Sequence, residues 1–351
     1  MGRASIAIVG AGIVGCLTAR EIAARAPDAS VLVLDRDMIG CGATRRSAGL
    51  HVPRGATDRV RRMAAYSQGY YEKLKEACPS LPIHPLGMSV VASEASEPPL
   101  QEVYLDRAGL TRAEGVANHL VRVSERAGVW RGEGCQYADV RGLTQALAQE
   151  LRPRVGFREG VRVTAIEPGA GAVVLELGTG EALTVEQVVL APGPWLTAPP
   201  WETLVAQLGV RVKKIVALHI EQRPSERDGA IVFQDEDAFL LPLLDRGHWL
   251  FSHTCQEWDV DPDAAAAGLS PHNLAEALDC LRRHAPALVD HCAGGRVFCD
   301  AYSTDREPQI RALDGAGRVV VAGAAGGSGY RLAPAIALEA ADLLRLPSGA
   351  C

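Results

Sequence analysis

One glycine-rich turn near the amino terminus constrains the fold more than any other feature of this 351-residue chain. Four apolar residues, 6–9, predict a buried strand, and the pattern Gly-x-Gly-x-x-Gly follows at once at Gly10, Gly12 and Gly15. Apolar residues then recur with helical spacing, and a second apolar run ends at Asp35. A strand, a tight turn, a helix, a second strand and an acid in this order predict a βαβ unit that binds a dinucleotide.

The predicted binding of a dinucleotide depends on main-chain groups that glycine leaves accessible. Glycines let a pyrophosphate approach the main chain, and the helix that begins near Ile13 and Val14 offers N–H groups and the positive end of its dipole. Asp35 lies about 20 residues beyond the last glycine, where an acid accepts hydrogen bonds from a ribose, and Arg36 follows it. The alternative is an ordinary βαβ turn without a ligand, because 36 glycines make chance matches frequent.

Composition narrows the class of protein. Hydrophobic residues make up 48% of the chain, enough for a large core, and the formal net charge of −6 argues against a nucleic-acid partner. Nine cysteines without a C-x-x-C pair predict free thiols in a reducing compartment, so we expect a cytoplasmic protein. No apolar run approaches the roughly 18 residues of a membrane span, and no signal-peptide pattern is present, so we expect no membrane association.

The stretch after Asp35 is rich in small residues and contains Arg45 and Arg46, with Thr44 before them and Ser47 after them. Beside a dinucleotide-binding unit, such a stretch is suited to bring bare backbone and cationic side chains close to phosphates. A flexible surface loop is the alternative interpretation.

Hydrophobic periodicity divides the middle of the chain into two parts with different patterns of secondary structure. The predicted helices are 57–78, 136–151 (capped by Asp139) and 271–284. Three strands are predicted after the second of these helices, at 161–166, 173–177 and 185–190. From residue 201 to 303, short apolar runs alternate with polar turns, which predicts a mostly antiparallel sheet.

The carboxyl-terminal part has the same kind of pattern as the first fifty residues: an apolar run, a glycine loop and a helix. An apolar run, 319–323, predicts a buried strand, a second glycine loop follows at 326–334, and a closing helix is predicted from 335 to 344. A glycine loop that opens a helix is another place where backbone N–H groups meet a ligand. Two such loops at opposite ends of the chain predict that both ends converge on one ligand.

Four segments, 10–15, 42–49, 188–195 and 326–334, form a pattern that is specific only as a set. Together they resemble the D-amino-acid-oxidase-type flavoprotein family, which includes glycine oxidase and monomeric sarcosine oxidase. The resemblance implies FAD, not NAD, as the cofactor.

The resemblance also implies an α/β fold with two domains. The FAD-binding domain is Rossmann-like and built from discontinuous segments, and a mostly antiparallel β-sheet substrate domain is inserted between them. The implied FAD-binding segments are 1–80, 136–200 and 304–351. The implied substrate-domain segments are 81–135 and 201–303.

Roles of individual residues follow from the same resemblance. Gly10, Gly12 and Gly15 are implied to hold the pyrophosphate, and Asp35 the adenosine ribose. With the helix start and the arginines described above, the other expected cofactor contacts are Ile13, Val14, Arg36, Thr44, Arg45, Arg46, Ser47, Val163, Ala191, Gly193, Trp195, Gly327, Ser328, Gly329, Tyr330 and Arg331.

Arg331 stands where sarcosine-oxidase-like enzymes have a lysine that holds the substrate carboxylate. A planar guanidinium matches the two oxygens of a carboxylate better than a lysine ammonium does. The alternative interpretation is that Arg331 is a surface arginine at the start of a helix. A second carboxylate-binding arginine of these enzymes falls at Ala48 in this chain, and Arg46 or Arg54 is a candidate replacement.

Other positions leave the chemistry more open. The strand that carries an oxygen-activating lysine in sarcosine oxidases reads His248 to His253 here, so these histidines are candidate cations near the flavin or structural histidines of a sheet. No acid joins them at ligand spacing, so no metal site is expected. Cys299 lies near the position of covalent FAD attachment in sarcosine oxidases but is also typical of a core residue, and Tyr302 is a candidate pocket residue.

These observations lead to one hypothesis with alternatives. The chain is expected to be an FAD-dependent enzyme that oxidises the C–N bond of an amino acid or N-substituted amino acid by hydride transfer to flavin N5, with Arg331, Tyr302 and His253 near the reaction. The resulting imine hydrolyses. The alternatives are a 2-hydroxy-acid or polyol oxidoreductase, a biosynthetic flavoenzyme for a larger or carrier-bound amine, and a non-catalytic binding protein.

Overall fold

The computed structural model describes residues 4–116, 118–265 and 268–346. Its strands are β1 (Ile6–Val9), β2 (Val31–Leu34), β3 (Leu50–His51), β4 (Ile83–Ser93), β5 (Thr111–Ala113), β6 (Ala127–Ala138), β7 (Val155–Arg158), β8 (Val163–Pro168), β9 (Val173–Leu177), β10 (Ala182–Val185), β11 (Gln187–Leu190), β12 (Arg211–Ile220), β13 (Ala230–Phe233), β14 (Ala238–Leu243), β15 (His248–His253), β16 (Cys292–Tyr302), β17 (Gln309–Ala312) and β18 (Val319–Gly323). Its α-helices are α1 (Ile13–Arg25), α2 (Ala43–Arg46), α3 (Asp58–Ala77), α4 (Glu97–Val103), α5 (Val140–Leu151), α6 (Glu202–Val205), α7 (Pro262–Ala265), α8 (Pro271–His284) and α9 (Gly329–Asp342).

A six-stranded sheet carries the amino-terminal βαβ unit. Its strand order is β17-β18-β11-β1-β2-β7, and every neighbouring pair is parallel except β17 with β18. The strands at its centre are short and apolar throughout because both faces of the sheet are covered.

Side chains of β1 alternate between two hydrophobic cores. Ile6 and Ile8 pack with residues of α1, α3 and α9, whereas Ala7 and Val9 pack with the three-stranded antiparallel sheet β10-β9-β8. This alternation follows from the two-residue period of a strand. The central sheet therefore lies between a layer of helices and a small second sheet.

A nine-stranded sheet makes up most of the remaining structure. Its order is β16-β12-β15-β14-β13-β4-β6-β3, with β5 paired to β6. All of its neighbouring pairs are antiparallel except β13 with β4. The predicted fold class is confirmed: a Rossmann-like sheet assembled from distant segments accompanies a mostly antiparallel sheet.

Two predicted boundaries need correction. The apolar run 185–190 forms two strands, because the chain leaves the three-stranded sheet after β10 and enters the six-stranded sheet at β11. The helix predicted from residue 136 begins at Val140, since Gln136 still belongs to β6, but Asp139 caps it as expected by accepting a hydrogen bond from the Gly142 N–H.

The closing helix begins earlier than predicted, at Gly329 instead of residue 335, and continues through Pro334. A proline inside a helix removes one N–H donor, which leaves the carbonyl four residues before it without its usual partner. That carbonyl belongs to Tyr330, and the Tyr71 hydroxyl on α3 donates a hydrogen bond to it at 2.7 Å. The tertiary contact therefore allows the helix to start within the glycine loop.

The division into two domains at the predicted boundaries stays a prediction. Residues 1–3 and 347–351 of the first and last FAD-binding segments lie outside the described residues. The same holds for residues 117 and 266–267 of the predicted substrate domain.

Ile8 offers a test of the central sheet, because its side chain is fully buried between β1 and the helices. Ile8→Ala is expected to lower the free energy of unfolding by about 2–5 kcal/mol, and Ile8→Val by about 0.5–1.5 kcal/mol, in urea denaturation followed by circular dichroism. Met38→Ala is the control, since Met38 is 58% exposed and its loss is expected to cost less than about 0.5 kcal/mol. Equal losses for Ile8→Ala and Met38→Ala would contradict this packing.

Candidate cofactor and substrate site

Four segments of the sequence pattern meet at one edge of the six-stranded sheet. Gly10 follows β1, Asp35 follows β2, Ala191 follows β11, and the second glycine loop follows β18. These four strands are mutually parallel, so their carboxyl ends lie on the same side, which is where doubly wound sheets bind ligands. The two ends of the chain thus converge as predicted.

A cavity of about 1600 Å³ opens at this edge and extends along the nine-stranded sheet. Most of the predicted site residues line it: Gly10, Gly12, Ile13, Val14, Asp35, Arg36, Thr44, Ser47, Val163, Ala191, Gly193, Trp195, Tyr302, Gly327, Ser328, Gly329, Tyr330 and Arg331. The predicted residues that do not line it are Gly15, Arg45, Arg46 and His253.

The first glycine loop has no room for side chains at Gly10 and Gly15, because other backbone atoms lie close to both positions. Gly10 has φ +109°, and a Cβ on it would lie 2.3 Å from the carbonyl oxygen of Ala191. A Cβ on Gly15 would lie 1.9 Å from the carbonyl oxygen of Gly10. Gly15 therefore acts through close packing of α1 on the turn, which explains why it is required without facing the cavity.

Asp35 and Thr44 fix the first glycine loop from two sides. The Ala11 N–H donates to Asp35 Oδ2 at 2.6 Å, and the Ile13 N–H donates to Thr44 Oγ1 at 3.1 Å. Burial raises the pKa of Asp35, while the N–H groups of Asp37 and Ala11 oppose this by favouring the carboxylate. The two side chains hold the start of α1 in place and still face the cavity.

Arg36, Trp195 and Asp263 form what we call the rim cluster. The Arg36 guanidinium donates two hydrogen bonds to Asp263, at 3.0 and 2.5 Å, and lies 4.1 Å from the centre of the Trp195 ring. Trp195 Nε1 also donates to Asp263 at 2.9 Å. All three residues line the cavity, so the cluster ties α7 to the segments that follow β2 and β11. Sequence reasoning missed Asp263, because nothing local marks an acid that pairs across 227 residues.

The second glycine loop packs on Tyr302. A Cβ on Gly326 would lie 2.7 Å from the Tyr302 ring, and Gly326 has φ +53°. Tyr302 also meets Trp258 edge to face, with ring centres 5.4 Å apart. Glycine is therefore needed where the loop crosses the aromatic side chains that line this part of the cavity.

Arg331 is held at the start of α9, where its guanidinium donates a hydrogen bond to Ser328 Oγ. Burial and, to a smaller extent, the nearby charge of Arg54 together lower the pKa of Arg331 to about 9. Arg54 also lines the cavity, and its Nη1 donates to Gln234 Oε1 at 2.9 Å. Two guanidinium groups therefore lie near each other in the same cavity.

The arginines of α2 are placed differently. Arg45 is exposed, and the Arg46 carbonyl accepts a hydrogen bond from Arg296 Nε at 3.0 Å. Neither side chain lines the cavity. Of the two candidate replacements for the arginine missing at Ala48, the structure thus brings Arg54 to the cavity and not Arg46.

The histidines of β15 do not reach the cavity. Ser252 lines it, so the alternation of the strand turns His253 to the opposite face, where its Nε2 lies 3.6 Å from Glu276 of α8. His248 instead contacts His219, with Nε2 and Nδ1 3.0 Å apart. The expectation of a catalytic His253 is corrected accordingly, and we assign it no catalytic role.

Cys299 lies in a small core with Val212 and Ala265, and burial raises the pKa of its thiol to about 11. It does not line the cavity, whereas the next residue of β16, Asp300, does. The structure therefore gives no support to covalent attachment of FAD through Cys299. Sequence reasoning missed Asp300, because the register of β16 decides which of the two side chains faces inward.

The residues at the cavity fit FAD. The cavity exceeds the roughly 300–1,000 Å³ of ordinary small-molecule sites, as a dinucleotide requires. Gly10 and Gly12 leave the backbone accessible beside the start of α1, and Asp35 faces the same space. Among the described residues, no group of three or more His, Cys, Asp or Glu side chains is placed to hold a metal ion. In the same part of the chain, no helix is both long and apolar enough to cross a membrane.

The rim cluster is expected to slow the release of FAD. Asp263→Ala removes the group that joins Arg36 to Trp195, an interaction of about 1 kcal/mol for a partly exposed ion pair, so FAD should dissociate about fivefold faster. The measurement is the rise of flavin fluorescence after dilution. Asp259→Asn is the control, because Asp259 forms an exposed ion pair with Arg211 at the same cavity, has no hydrogen bond or ion pair to any of the three described residues of the cluster, and asparagine tolerates its φ of +57°. Equal release rates for both variants would contradict the role of the cluster.

Comparisons with known proteins agree with the geometry. The family model for FAD-dependent oxidoreductases of the DAO type matches residues 5–343. A curated relative, 4-methylaminobutanoate oxidase (formaldehyde-forming) from Paenarthrobacter nicotinovorans, is 25% identical over 255 residues, which cover 66% of this chain and 29% of that protein. The chain thus spans less than a third of the length of that relative.

Two solved structures are similar to this chain along nearly its whole length. Glycine oxidase from Geobacillus kaustophilus superposes with a TM-score of 0.81 at 18% identity, covering 99% of this chain and 96% of its own. NikD, an unusual amino acid oxidase essential for nikkomycin biosynthesis, superposes with a TM-score of 0.79 at 20% identity, covering 98% and 94%. At these identities the likeness concerns the fold, and the family follows from the match to the family model. The chain belongs to the DAO family of FAD-dependent oxidoreductases.

Proposed function

We propose that this protein oxidises the C–N bond of an amino acid or an N-substituted amino acid. The observation that carries the proposal is the pair of guanidinium groups, Arg331 and Arg54, in the cavity that the two glycine loops line. The names of the relatives support it, since 4-methylaminobutanoate oxidase, glycine oxidase and NikD are all described as enzymes of amines or amino acids.

The arginines suit a carboxylate substrate for an electrostatic reason. Burial lowers the pKa of Arg331, which means that its cation is poorly solvated where it lies. A bound carboxylate would restore the lost solvation, and a planar guanidinium matches both of its oxygens. Arg54 adds a second positive charge at the same place, which compensates for the alanine at position 48.

Each group then has a defined task. FAD, when bound, supplies the hydride acceptor. Arg331 and Arg54 hold the substrate carboxylate and so fix the direction of the α-carbon, which is the main contribution of a protein to hydride transfer. Tyr302 and Trp258 form an aromatic wall beside the second glycine loop and exclude water. The oxidised substrate is an imine, which water hydrolyses.

A larger or carrier-bound amine is a second candidate substrate. The cavity of about 1600 Å³ extends well beyond the glycine loops along the nine-stranded sheet, and NikD, a structural neighbour, is described as a biosynthetic enzyme. A 2-hydroxy acid remains the alternative on the same scaffold, because fold does not determine substrate.

We further propose that the protein works in the cytoplasm on a small-molecule amine and without a nucleic-acid partner. Eight cysteines lie in the described residues and all of them are free thiols, which supports a reducing compartment. The formal net charge of −6 is unfavourable for binding a phosphate backbone.

Substitution of Arg331 tests the carboxylate site. Arg331→Gln should weaken substrate binding about 10- to 150-fold, because charge-assisted hydrogen bonds contribute about 1.5–3 kcal/mol. The measurement is the amine concentration that gives half-maximal anaerobic bleaching of the flavin. Arg62→Gln is the control, since Arg62 is an exposed arginine of α3 away from the cavity.

The same bleaching assay separates the candidate substrates. Free amino acids and N-methyl amino acids should reduce the flavin of the unmodified protein. Bleaching by hydroxy acids alone would contradict the proposed reaction. Bleaching by a carrier-tethered amine but by no free amino acid would favour the second candidate.

A further inference from the structure

The segment that carries Thr44 and Ser47 is a single helical turn. We call residues 43–48, which are α2 and the two residues after it, the α2 turn. One of its hydrogen bonds runs from the Ser47 N–H to the Ala43 carbonyl at 2.9 Å. So short a helix is unstable alone, because its few hydrogen bonds do not offset the conformational entropy lost when its torsion angles are fixed. Contacts with other segments must therefore hold the α2 turn in place.

The α2 turn separates two cavities. Thr44, Ser47 and Ala48 line the large cavity, and the same residues line a small cavity of about 20 Å³ behind them. Arg296 of β16 lines the small cavity. It lies two residues before Phe298, which lines the large cavity, so both side chains project from the same face of the strand. Arg296 therefore lies on the side of the α2 turn that faces away from the large cavity.

The guanidinium of Arg296 bonds to the end of the α2 turn. Its Nε donates to the Arg46 carbonyl at 3.0 Å, and its Nη2 donates to the Ser47 carbonyl at 3.4 Å. Carbonyls at the end of a helix have no partner within it, and a cation near them is favourable. Thr44, in the same turn, accepts a hydrogen bond from the Ile13 N–H. The α2 turn is thus fixed to the nine-stranded sheet at one end and to the first glycine loop at the other.

Two histidines hold the guanidinium from behind. Arg296 Nη1 bonds to His219 Nε2, and His219 Nδ1 lies 3.0 Å from His248 Nε2. Arginine only donates, so His219 Nε2 accepts, and the proton of this ring lies on Nδ1, which donates to His248. His248 in turn carries its proton on Nδ1, which lies 3.4 Å from the Arg246 carbonyl. Every link of this chain runs in one direction, which requires both rings to be neutral.

The charges around Arg296 agree with this arrangement. Burial and the charge of Arg296 lower the pKa of His219 to about 4, as a neutral ring requires. Burial and the charge of Arg246 lower the pKa of Arg296 to about 10, so it stays a cation at neutral pH, and no acid of the described residues pairs with it. A buried charge without a counter-ion is costly unless its donors are satisfied. The hydrogen bonds to the α2 turn and to His219 satisfy them.

We propose that Arg296 is a positioning residue for FAD. It holds the α2 turn in the conformation in which Thr44 and Ser47 face the cofactor, and His219 and His248 act through it. A turn that adopts the binding conformation in only a fraction of the molecules raises the apparent Kd by the inverse of that fraction. The inference concerns the binding of the cofactor, so it goes beyond the proposed reaction and does not depend on the substrate.

Arg296→Met tests the proposal, because it keeps an unbranched side chain and removes every donor. The holoenzyme is diluted in series, and the FAD released at equilibrium is measured by flavin fluorescence, which gives Kd. Kd should rise about tenfold or more, because the α2 turn then adopts its binding conformation in about a tenth of the molecules or fewer. Amide hydrogen exchange of residues 43–48 in the same holoenzyme should become faster, whereas exchange in β1 and β11 should not.

Arg246→Met is the matched control. Arg246 lines the same small cavity and is also a cation, but its side chain pairs with Asp139 at 3.1 Å and has no hydrogen bond to the described α2 turn. The bond from His248 goes to its carbonyl and survives the substitution. This variant should keep Kd within about twofold. An equal rise of Kd in Arg246→Met and Arg296→Met would mean that charge and not position matters, which would overturn the proposal.

His219 separates positioning from a merely structural role. His219→Leu removes the acceptor of Arg296 Nη1 and should raise Kd about threefold, the effect of one lost hydrogen bond, whereas His219→Gln keeps an acceptor and should leave Kd nearly unchanged. In the Arg296→Met background, His219→Leu should change Kd by less than about twofold, because the contact that it serves is already absent. Additive effects of the two substitutions would overturn the assignment.

The remaining outcomes also decide. An unchanged Kd in a folded Arg296→Met protein, or a raised Kd without faster exchange in the α2 turn, would overturn the proposal. If Arg296→Met does not fold, His219→Leu and His219→Gln decide through the same two measurements, and equal values of Kd for this pair would overturn it. Failure of every amine to bleach the flavin would refute the proposed function alone, because the tests of Arg296 measure FAD binding.

Discussion

The close approach of backbone at Gly10 and Gly15 is the constraint on which the rest of the structure depends. The space a side chain would need at these positions is filled by main-chain atoms of Ala191 and of Gly10 itself. This contact lets α1 begin directly above the carboxyl end of β1, next to β11. The cavity follows from it, since four parallel strands then end at one edge with their loops facing the same space.

The carboxyl-terminal loop contributes the charged end of the cavity, and its geometry depends on a compensated proline. The Tyr71 hydroxyl bonds to the carbonyl that Pro334 leaves without a helical donor, so α9 begins at Gly329 and carries Arg331 within its first turn. Arg331 thereby lies partly buried near Arg54, and Asp300 faces the neighbouring residue of the loop.

Sequence patterns predicted what depends on neighbours in the chain. The glycine turn, the apolar strands and the cap at Asp139 are local signals, and they predicted a βαβ unit that binds a dinucleotide. The choice of FAD and the division into two domains came from the resemblance of four segments to a known family. The positions of Asp263, Arg54 and Asp300 depend on contacts between distant segments, which no local pattern encodes. Strand register explains the remaining differences: β15 turns Ser252 inward instead of His253, and β16 turns Asp300 inward instead of Cys299. The start of α9 was missed because its proline is rescued by a tertiary hydrogen bond.

The visible spectrum of the purified protein, before and after acid precipitation, tests the central claim most directly. The central claim is that two glycine loops from opposite ends of the chain enclose one FAD. Cys299 faces away from the cavity that they line. Flavin absorption bands are expected in the native protein, and all of the flavin is expected in the supernatant once acid has unfolded the protein. A colourless protein that does not take up added FAD, or a flavin that stays with the precipitate, would contradict it.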